Sequence, residues 1–387
     1  MQGTRSKAEA TELGFSAVAF RRKLIAWYRE HARVLPWRGV DDPYATWLSE
    51  IMLQQTRVAT VIDRYKSFLL RFPTISDLAE ADEDDVLALW SGLGYYRRAR
   101  MLHRGAQFVV REMGGELPST SVELRTLPGV GEYTAAAIAS IAFGESIAVL
   151  DGNVERVLLR LTGQSEERSS RTRARLVDTA QMLMPPTRSG RAAKKRLQTA
   201  VEKGSNAAGD HNQAMMELGA TICVPRAPLC LQCPVVEMCS TRGEHVTVDR
   251  AKMQSRTVAY LLALRKRGVE TEVLLQRRAK DASLMPGMME LPALALETTY
   301  GREPALRLRH AITNTNYYVQ IFTESVEASV GVDEPTLLDQ IPTAESDLTW
   351  VISTKLAQQP LTGLARKTLQ RLHVMTLPPL RVGPYQG

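Results

Sequence analysis

All 4 cysteines of this 387-residue chain lie between Cys223 and Cys239, spaced Cys223-x6-Cys230-x2-Cys233-x5-Cys239. A disulfide framework spreads its cysteines over a small domain, whereas a cluster this tight reads as one metal site in a reducing compartment. Four thiolates with one two-residue gap suit an iron–sulfur cube, because a tight turn brings two ligands to one cluster. Pro225, Pro228 and Pro234 stiffen the intervening loops. A structural zinc also takes four cysteines, usually as two close pairs, and only one CxxC is present.

The rest of the chain must therefore build its cores without cross-links. At 387 residues it exceeds one ordinary core, so two or three domains are expected. No apolar run approaches membrane-spanning length; Ala135–Ala142 and Ile147–Leu150 are far too short. The polar segment Met1–Gly14 lacks the apolar stretch of a secretory signal and reads as a flexible tail. A formal net charge of +7 fits a polyanionic partner such as nucleic acid.

Up to about residue 240 the text is helical. Val18, Leu24, Ile25 and Tyr28 recur at helical spacing in Ala17–His31, and Pro43 opens a helix through Trp47, Leu48, Ile51 and Met52. Further amphipathic segments are 59–71, 75–81, 83–89 and 97–113, and a second helical section, 172–219, carries a basic stretch at 188–203. After a polar linker, 241–254, the character changes. Val258–Leu264, Glu270–Gln276 and Tyr317–Phe322 read as strands, with Arg265–Val269 as a hairpin turn. Thr362 is placed to cap a last helix, Gly363–Leu372. The expected organisation is a tail 1–14, an all-α region 15–240, the linker 241–254, an α+β domain 255–376 and a tail 377–387.

Three motifs carry chemistry. Leu127-Pro128-Gly129-Val130-Gly131 joins two helical patterns; its glycines let the backbone turn sharply and approach a phosphate, which the opening N–H groups of the next helix can bind. Asp151, after the apolar run Ile147–Leu150, reads as the N-cap of a helix starting near Asn153, where backbone donors favour its ionised form. Glu50 has Thr46, Trp47, Leu53 and Gln54 as helical neighbours, none of them cationic. A carboxyl beside tryptophan and leucine is a candidate for a raised pKa and general-acid work.

Four stretches together, PWRG with SEIMLQQT, LPGVGEYTA, VLDGNVERV and the cysteine loop, resemble the MutY family of adenine DNA glycosylases over nearly the whole chain. The resemblance implies a multidomain fold: an all-α helix–hairpin–helix glycosylase region with six-helix-barrel and cluster subdomains, plus a C-terminal α+β, Nudix-like (MutT-like) domain. It implies base excision repair, with hydrolysis of the N-glycosidic bond of an adenine mispaired with 8-oxoguanine or guanine after that base is flipped out. By the same resemblance Glu50 protonates adenine N7, Asp151 stabilises cationic character on the sugar, and Tyr133 and Asn153 orient them. Trp37, Arg38 and Gln213 line the adenine pocket. Gln55, Thr56, Leu93 and Tyr95 belong to the wedge beside the opposing base. Cys223, Cys230, Cys233 and Cys239 hold one [4Fe-4S] cluster. The expected partner is double-stranded DNA carrying adenine opposite 8-oxoguanine or guanine, bound by a monomer in a bacterial-type cytoplasm.

Two departures bear on specificity. Endonuclease III-like enzymes that also nick the strand carry a lysine where this chain has Tyr133, so a monofunctional enzyme is expected. The family's damage-reading loop usually reads Phe-Ser-His; here Ile312-Thr313-Asn314 occupies that place, and Thr313 and Asn314 offer hydrogen bonds but no imidazole. Some preference for 8-oxoguanine is expected to survive through Gln55 and Leu93. No glutamate cluster for magnesium appears in 255–376, so that domain binds and does not hydrolyse. Two rivals remain: a pyrimidine-damage or thymine-mismatch glycosylase on the same scaffold, and a redox-responsive DNA-binding iron–sulfur protein without excision.

Overall fold

The computed structural model describes residues 13–165, 169–186, 206–245, 253–312, 314–326, 336–341 and 347–375. The basic stretch 188–203, Thr313, the linker core 246–252 and the outer parts of both tails lie outside the described residues. Two compact units are formed. One combines the chain up to Ala79 with Arg104–Asp249, the other Glu80–His103 with the chain from Arg250 onward.

The helices N-terminal to the cysteines are α1 (Ala17–His31), α2 (Pro43–Leu53), α3 (Val58–Arg71), α4 (Ile75–Glu80), α5 (Glu83–Trp90), α6 (Arg97–Met113), α7 (Ser121–Leu124), α8 (Glu132–Ile141), α9 (Gly152–Thr162), α10 (Ser170–Leu183) and α11 (Ala207–Thr221). Their starts are written in the sequence. The Asp42 carboxylate accepts from Tyr44 N at 2.8 Å with Pro43 in the first turn, and Asn206 Oδ1 accepts from Gly209 N at 2.8 Å. Phe20, Leu24, Trp27 and Tyr28 form the buried stripe of α1. They meet Val154, Val157 and Leu161 of α9, Leu176 and Leu183 of α10, and Met215 and Leu218 of α11 in one core.

Small residues decide the next layer. Helix α8, EYTAAAIASI, buries Ala135, Ala136 and Ala137 and packs against both α2 and α11, with Ala136 and Ala137 beside Val149 and Met216. At Gly105 of α6 an added Cβ would lie 2.7 Å from the Trp47 ring of α2, so only glycine fits over that fully buried indole.

The second unit is built on a seven-stranded mixed sheet: β1 (Gln254–Arg267), β2 (Glu270–Arg277), β3 (Met289–Glu290), β4 (Ala293–Leu294), β5 (Leu306–Ile312), β6 (Thr315–Ser325) and β7 (Asp347–Ile352). The main path runs β3-β2-β1-β6-β5; β4 pairs with β1 and β7 with β2. Strand β1 lies parallel to β6 from Gln254↔Thr315 to Leu264↔Ser325. Its alternate residues feed opposite cores: Leu262 joins Leu275, Ile321 and the helix α12 (Gly363–Arg371), while Ala259, Leu261 and Ala263 join Phe322 and Leu337. Thr362 caps α12 through Ala365 N at 3.1 Å, as expected.

The expected turn 265–269 is corrected: Arg265, Lys266 and Arg267 pair with Glu272, Thr271 and Glu270, leaving Gly268 and Val269 as a two-residue turn with Gly268 at φ 66°. Four strands, β3, β4, β5 and β7, escaped the sequence reading. Two of them hold only two residues each, while the edge strand β5 does alternate, Leu306-Arg307-Leu308-Arg309, a signal the sequence reading passed over. Among the described residues no helix is long and apolar enough to cross a membrane.

Candidate active site

A cavity of about 870 Å³ opens in the first unit, between the C-terminal half of α2, the start of α8, the start of α9 and one face of α11. Glu50 projects into it from α2 and is 6% exposed. The hydroxyl of Tyr133, from the first turn of α8, donates to Glu50 Oε2 at 2.8 Å. Burial raises the Glu50 pKa to about 7; the Tyr133 hydrogen bond opposes that rise, and the Asp151 charge adds to it. Burial also holds the Tyr133 phenol well above its ordinary value, with the charges of Glu50 and Asp151 adding to the shift.

Asp151 lines the same cavity at the N-cap of α9. Its Oδ1 accepts from Asn153 N at 2.9 Å and Val154 N at 2.7 Å, and its Oδ2 accepts from Asn153 Nδ2 at 2.9 Å. The extended segment leading into it has no strand partner. Side-chain amides serve instead: Asn212 Oδ1 accepts from Val149 N at 3.1 Å, and Gln181 Oε1 from Ala148 N at 2.9 Å. The aspartate is thus fixed by the helix start behind it and by two amides ahead of it.

Trp37, Arg38 and Gln213 form part of the cavity wall. Gln213 Oε1 accepts from the Tyr28 hydroxyl at 2.6 Å, and Trp37 meets Tyr65 edge-on at 5.5 Å. Arg38 is anchored by residues that the sequence did not single out. Its Nη2 donates to Glu217 Oε2 at 2.7 Å, its Nη1 to Arg33 O at 2.8 Å, and its guanidinium lies 5.4 Å from the Tyr28 ring centroid. The Arg33 guanidinium adds a bidentate pair to Glu217, both bonds 2.7 Å. Burial pushes the Glu217 pKa up, but the bonds from Arg33 and Arg38 prevail and hold it at about 2. Glu217 lies four residues past Gln213 on α11, and that helical spacing was the available signal. Arg33, in a loop, gave none.

The Leu127–Gly131 hairpin borders the cavity through Gly129 and Gly131, while Leu127 and Val130 are buried beneath it. Pro128 sits in the turn that Val130 N closes onto Leu127 O at 3.1 Å. Only Gly129 needs a left-handed backbone, φ 77°. Gly131 caps α8 in an extended conformation and is exposed, and a Cβ there would meet nothing within 4 Å. Gln55 and Thr56 follow α2 at the cavity rim. Gln55 is exposed and held at φ 54°, a costly conformation for a residue with a side chain.

The other residues expected in the wedge, and Asn314, belong to the second unit. Tyr95 is 49% exposed and also left-handed, φ 49°, with the Arg98 guanidinium 5.5 Å from its ring; Leu93 is buried. Tyr96, next to Tyr95, is buried. Asn314 is exposed at the β5–β6 tip, where its carbonyl accepts from Gln254 N at 2.9 Å.

The four cysteines are free and line one small cavity of the first unit. Among the described residues no three or more His, Cys, Asp or Glu converge on a point that could hold a single ion. Arg160 Nη1 donates to Cys223 Sγ at 3.4 Å and Arg242 N to Cys239 Sγ at 3.4 Å, contacts suited to anionic sulfur. Arg160 also holds the loop backbone through Val224 O at 2.7 Å and Pro225 O at 2.8 Å. One further arginine, Arg156 of α9, connects this loop to the cavity. Its Nε donates to Cys223 O at 2.7 Å, and its Nη2 to Asn153 Oδ1 at 2.9 Å and Gly219 O at 2.6 Å.

Residues 48–181 match the family described as HhH-GPD superfamily base excision DNA repair protein. Human adenine DNA glycosylase is 47% identical over 234 residues, 58% of this chain and 39% of that protein. The adenine DNA glycosylase of Buchnera aphidicola subsp. Baizongia pistaciae (strain Bp) is 36% identical over 227 residues, 58% of this chain and 59% of its own length. The chain thus spans well under two thirds of the curated relatives it matches. Among solved structures, a thermostable thymine-DNA glycosylase is 28% identical with a TM-score of 0.49, covering 58% of this chain and 96% of the other.

Proposed function

We propose that this chain, whose residues 48–181 are an HhH-GPD base excision DNA repair domain, is a monofunctional adenine DNA glycosylase. One observation carries the reading. A buried carboxyl with a pKa of about 7, Glu50, faces a cavity large enough for a base, with Asp151 as a second carboxyl in the same cavity. Two carboxyl groups held in different environments divide acid and anion roles between them.

The base must leave the duplex to reach Glu50. Trp37 supplies an aromatic wall for it; Arg38, fixed by Glu217, and Gln213, fixed by Tyr28, supply polar groups at set positions. Glu50 delivers its proton to N7 of the departing adenine, and Tyr133 orients that carboxyl and stabilises the anion left behind. Asp151, held by Asn153 and two backbone donors, faces the sugar carbon where positive charge develops. The exposed backbone of Gly129 and Gly131 and the start of α8 suit a phosphate, which sets register without reading sequence. No lysine stands at Tyr133, so the abasic product is left with its strand intact.

The donor set fits an iron–sulfur cluster: four free thiols around one cavity, two of them receiving N–H donors. Cys223, Cys230, Cys233 and Cys239 would hold one [4Fe-4S] cluster. Such a cluster supplies a rigid cross-link and a redox-active centre. Double-stranded DNA with adenine opposite 8-oxoguanine or guanine is the proposed partner; Gln55, Thr56, Leu93 and Tyr95 are its proposed duplex wedge, and the MutT-like reading of the sheet unit adds Thr313 and Asn314 as proposed lesion contacts.

The test is single-turnover excision from a duplex holding adenine opposite 8-oxoguanine, beside adenine opposite guanine, with and without alkali. Cleavage that requires alkali and disappears in Glu50→Gln is the expected result. Binding without excision by the wild type would overturn the enzyme and favour the binding-only rival. Strand cleavage without alkali would overturn the monofunctional assignment.

A further inference from the structure

The turn that carries Tyr95 is built unusually firmly. Gly92 and Gly94 are left-handed at φ 99° and 72°, and Tyr95 follows at φ 49°. Trp90 Nε1 donates to Gly94 O at 3.2 Å, and Arg98 Nη2 donates to Leu93 O at 3.3 Å and to Gly94 O at 3.2 Å. The same guanidinium stacks near both Trp90, 5.6 Å, and Tyr95, 5.5 Å. A left-handed tyrosine is strained and persists only where its surroundings over-determine it.

Those surroundings come from the far end of the sequence, within the same compact unit. Arg366 of α12 donates from Nε to Ser91 Oγ at 2.6 Å, and Ser91 passes the chain on to Leu361 O at 2.9 Å. The Tyr96 hydroxyl donates to that same carbonyl at 3.0 Å. Ser91, Tyr96, Leu361 and Arg366 are all buried. Leu361 is itself pinned, since Met289 N donates to Pro360 O and Thr362 N to Met289 O, each at 2.9 Å. Around the rim, Arg100 Nη2 donates to Pro286 O at 2.6 Å and Arg277 pairs with Asp84 at 3.1 Å.

Burying a guanidinium is expensive, and apolar side chains would join two packed segments at lower cost. Directional hydrogen bonds on both flanks of a four-residue turn add something packing lacks, a fixed register. We propose that Arg366, acting through Ser91 and the Leu361 carbonyl, is a positioning residue for the Gly92–Tyr95 turn, so that the sheet unit sets how Tyr95 is presented to the duplex. The inference rests on the reading of Tyr95 as a wedge. It assigns Arg366 a role in discriminating the opposing base that neither the cavity nor the β5–β6 tip provides. The Glu50 cavity is lined wholly by the other unit.

Arg366→Met and Ser91→Ala test this, with Arg366→Lys as the conservative variant and thermal melting to verify folding. The first readout is the ratio of single-turnover excision rates for adenine opposite 8-oxoguanine and opposite guanine. We expect that ratio to fall about tenfold in Arg366→Met and in Ser91→Ala, a typical coupling between sites, and to recover in Arg366→Lys. A purely structural role would lower the melting temperature and leave the ratio alone, which would overturn the proposal. The second readout needs no chemistry: fluorescence of 2-aminopurine placed beside 8-oxoguanine, which brightens when the stack is opened. Brightening by the wild type, lost in Tyr95→Ala and reduced in Ser91→Ala, supports the clamp even if excision fails. Equal brightening by wild type and Ser91→Ala overturns it, as does a wild type that binds and opens nothing.

Discussion

The Tyr133 hydroxyl reaches Glu50 Oε2 at 2.8 Å across 83 residues of sequence, because α8 packs against α2 with Tyr133 in its first turn. The bond stabilises the ionised carboxylate while burial favours the neutral acid, and burial prevails. The result is an acid still partly protonated at neutral pH.

Excision should therefore fall as pH rises through about 7, the Glu50 pKa in the folded protein. Glu50→Gln should lower the single-turnover rate by about 10²–10⁴, the usual worth of a general acid. Stability should fall over the same range. A carboxyl whose pKa is raised on folding contributes fully below its unfolded value of 4.5, and that contribution is lost as pH rises through about 7. Glu50→Gln should accordingly melt higher than wild type at pH 8.5 and lose that advantage at pH 4.5. An excision profile flat from pH 6 to 9 would remove Glu50 from the acid role.

Tyr133→Phe isolates the hydrogen bond. Without the hydroxyl, the influence that lowers the Glu50 pKa is gone, and the alkaline limb of the pH–rate profile should shift upward. The plateau rate should drop, because the carboxyl loses its orienting partner. A limb that stays in place, with only the plateau reduced, would mean the tyrosine orients without tuning.

Glu217 titrates with the opposite sign. Arg33 and Arg38 hold its pKa at about 2 against burial, so its contribution is present above the unfolded value of 4.5 and lost as pH falls toward 2. A depression of that size corresponds to about 3 kcal/mol in acid-linked stability. Glu217→Gln should flatten the acid limb of a stability–pH curve between pH 4.5 and 2. It should also weaken excision, since Arg38 would lose its anchor on the cavity wall. Acid limbs of equal steepness in variant and wild type would sink the linkage.

Much of this site was legible in the sequence, and the reason is local. Glu50 and its apolar neighbours sit on one helix, Asp151 marks a helix start by its residue type, and Gly129 occupies a turn that only a left-handed backbone closes. The cysteines declare themselves by spacing. What stayed hidden is long-range or conformational. Glu217 and Arg33 lie 184 residues apart, and neither has a local pattern that names the other. The left-handed backbones of Gln55 and Tyr95 are imposed by tertiary contacts, not by propensity. Strands β3 and β4 are too short for a period of two to register, and exist because β2 and β1 are there to pair with them.

Anaerobically purified protein should carry iron and sulfide and lose both in Cys233→Ser; zinc without iron would favour the rival site. The cysteines do not line the Glu50 cavity, yet Arg156 ties Cys223 O to Asn153 Oδ1. Removing the iron with a chelator should therefore slow excision, because a loosened loop loses its grip on Arg156. Arg156→Met should slow it by about tenfold, the effect typical of losing an outer-sphere support, while iron content is retained. Full activity in iron-depleted protein would separate the loop from the chemistry.

Gly219 tests the same junction sterically. It lies on α11, and an added Cβ would stand 2.7 Å from Asn153 Cβ and 2.8 Å from Asn153 O. One contact is backbone and the other belongs to a side chain already bound to Asp151 and Arg156, so neither yields cheaply. Forcing a methyl into such packing costs about 1–3 kcal/mol. If α11 and α9 part to admit it, the N-cap moves and Asp151 moves with it. Gly219→Ala should thus lower the melting temperature and reduce the plateau rate together, while the alkaline limb set by Glu50 stays near 7. Gly105→Ala, whose Cβ meets Trp47 at 2.7 Å, crowds α2, the helix that bears Glu50. Its stability loss should be similar, and any loss of rate should come with a displaced limb. A Gly219→Ala protein of wild-type stability and rate would show that the helices relax freely there, and that Asn153 is not fixed by its contact with α11.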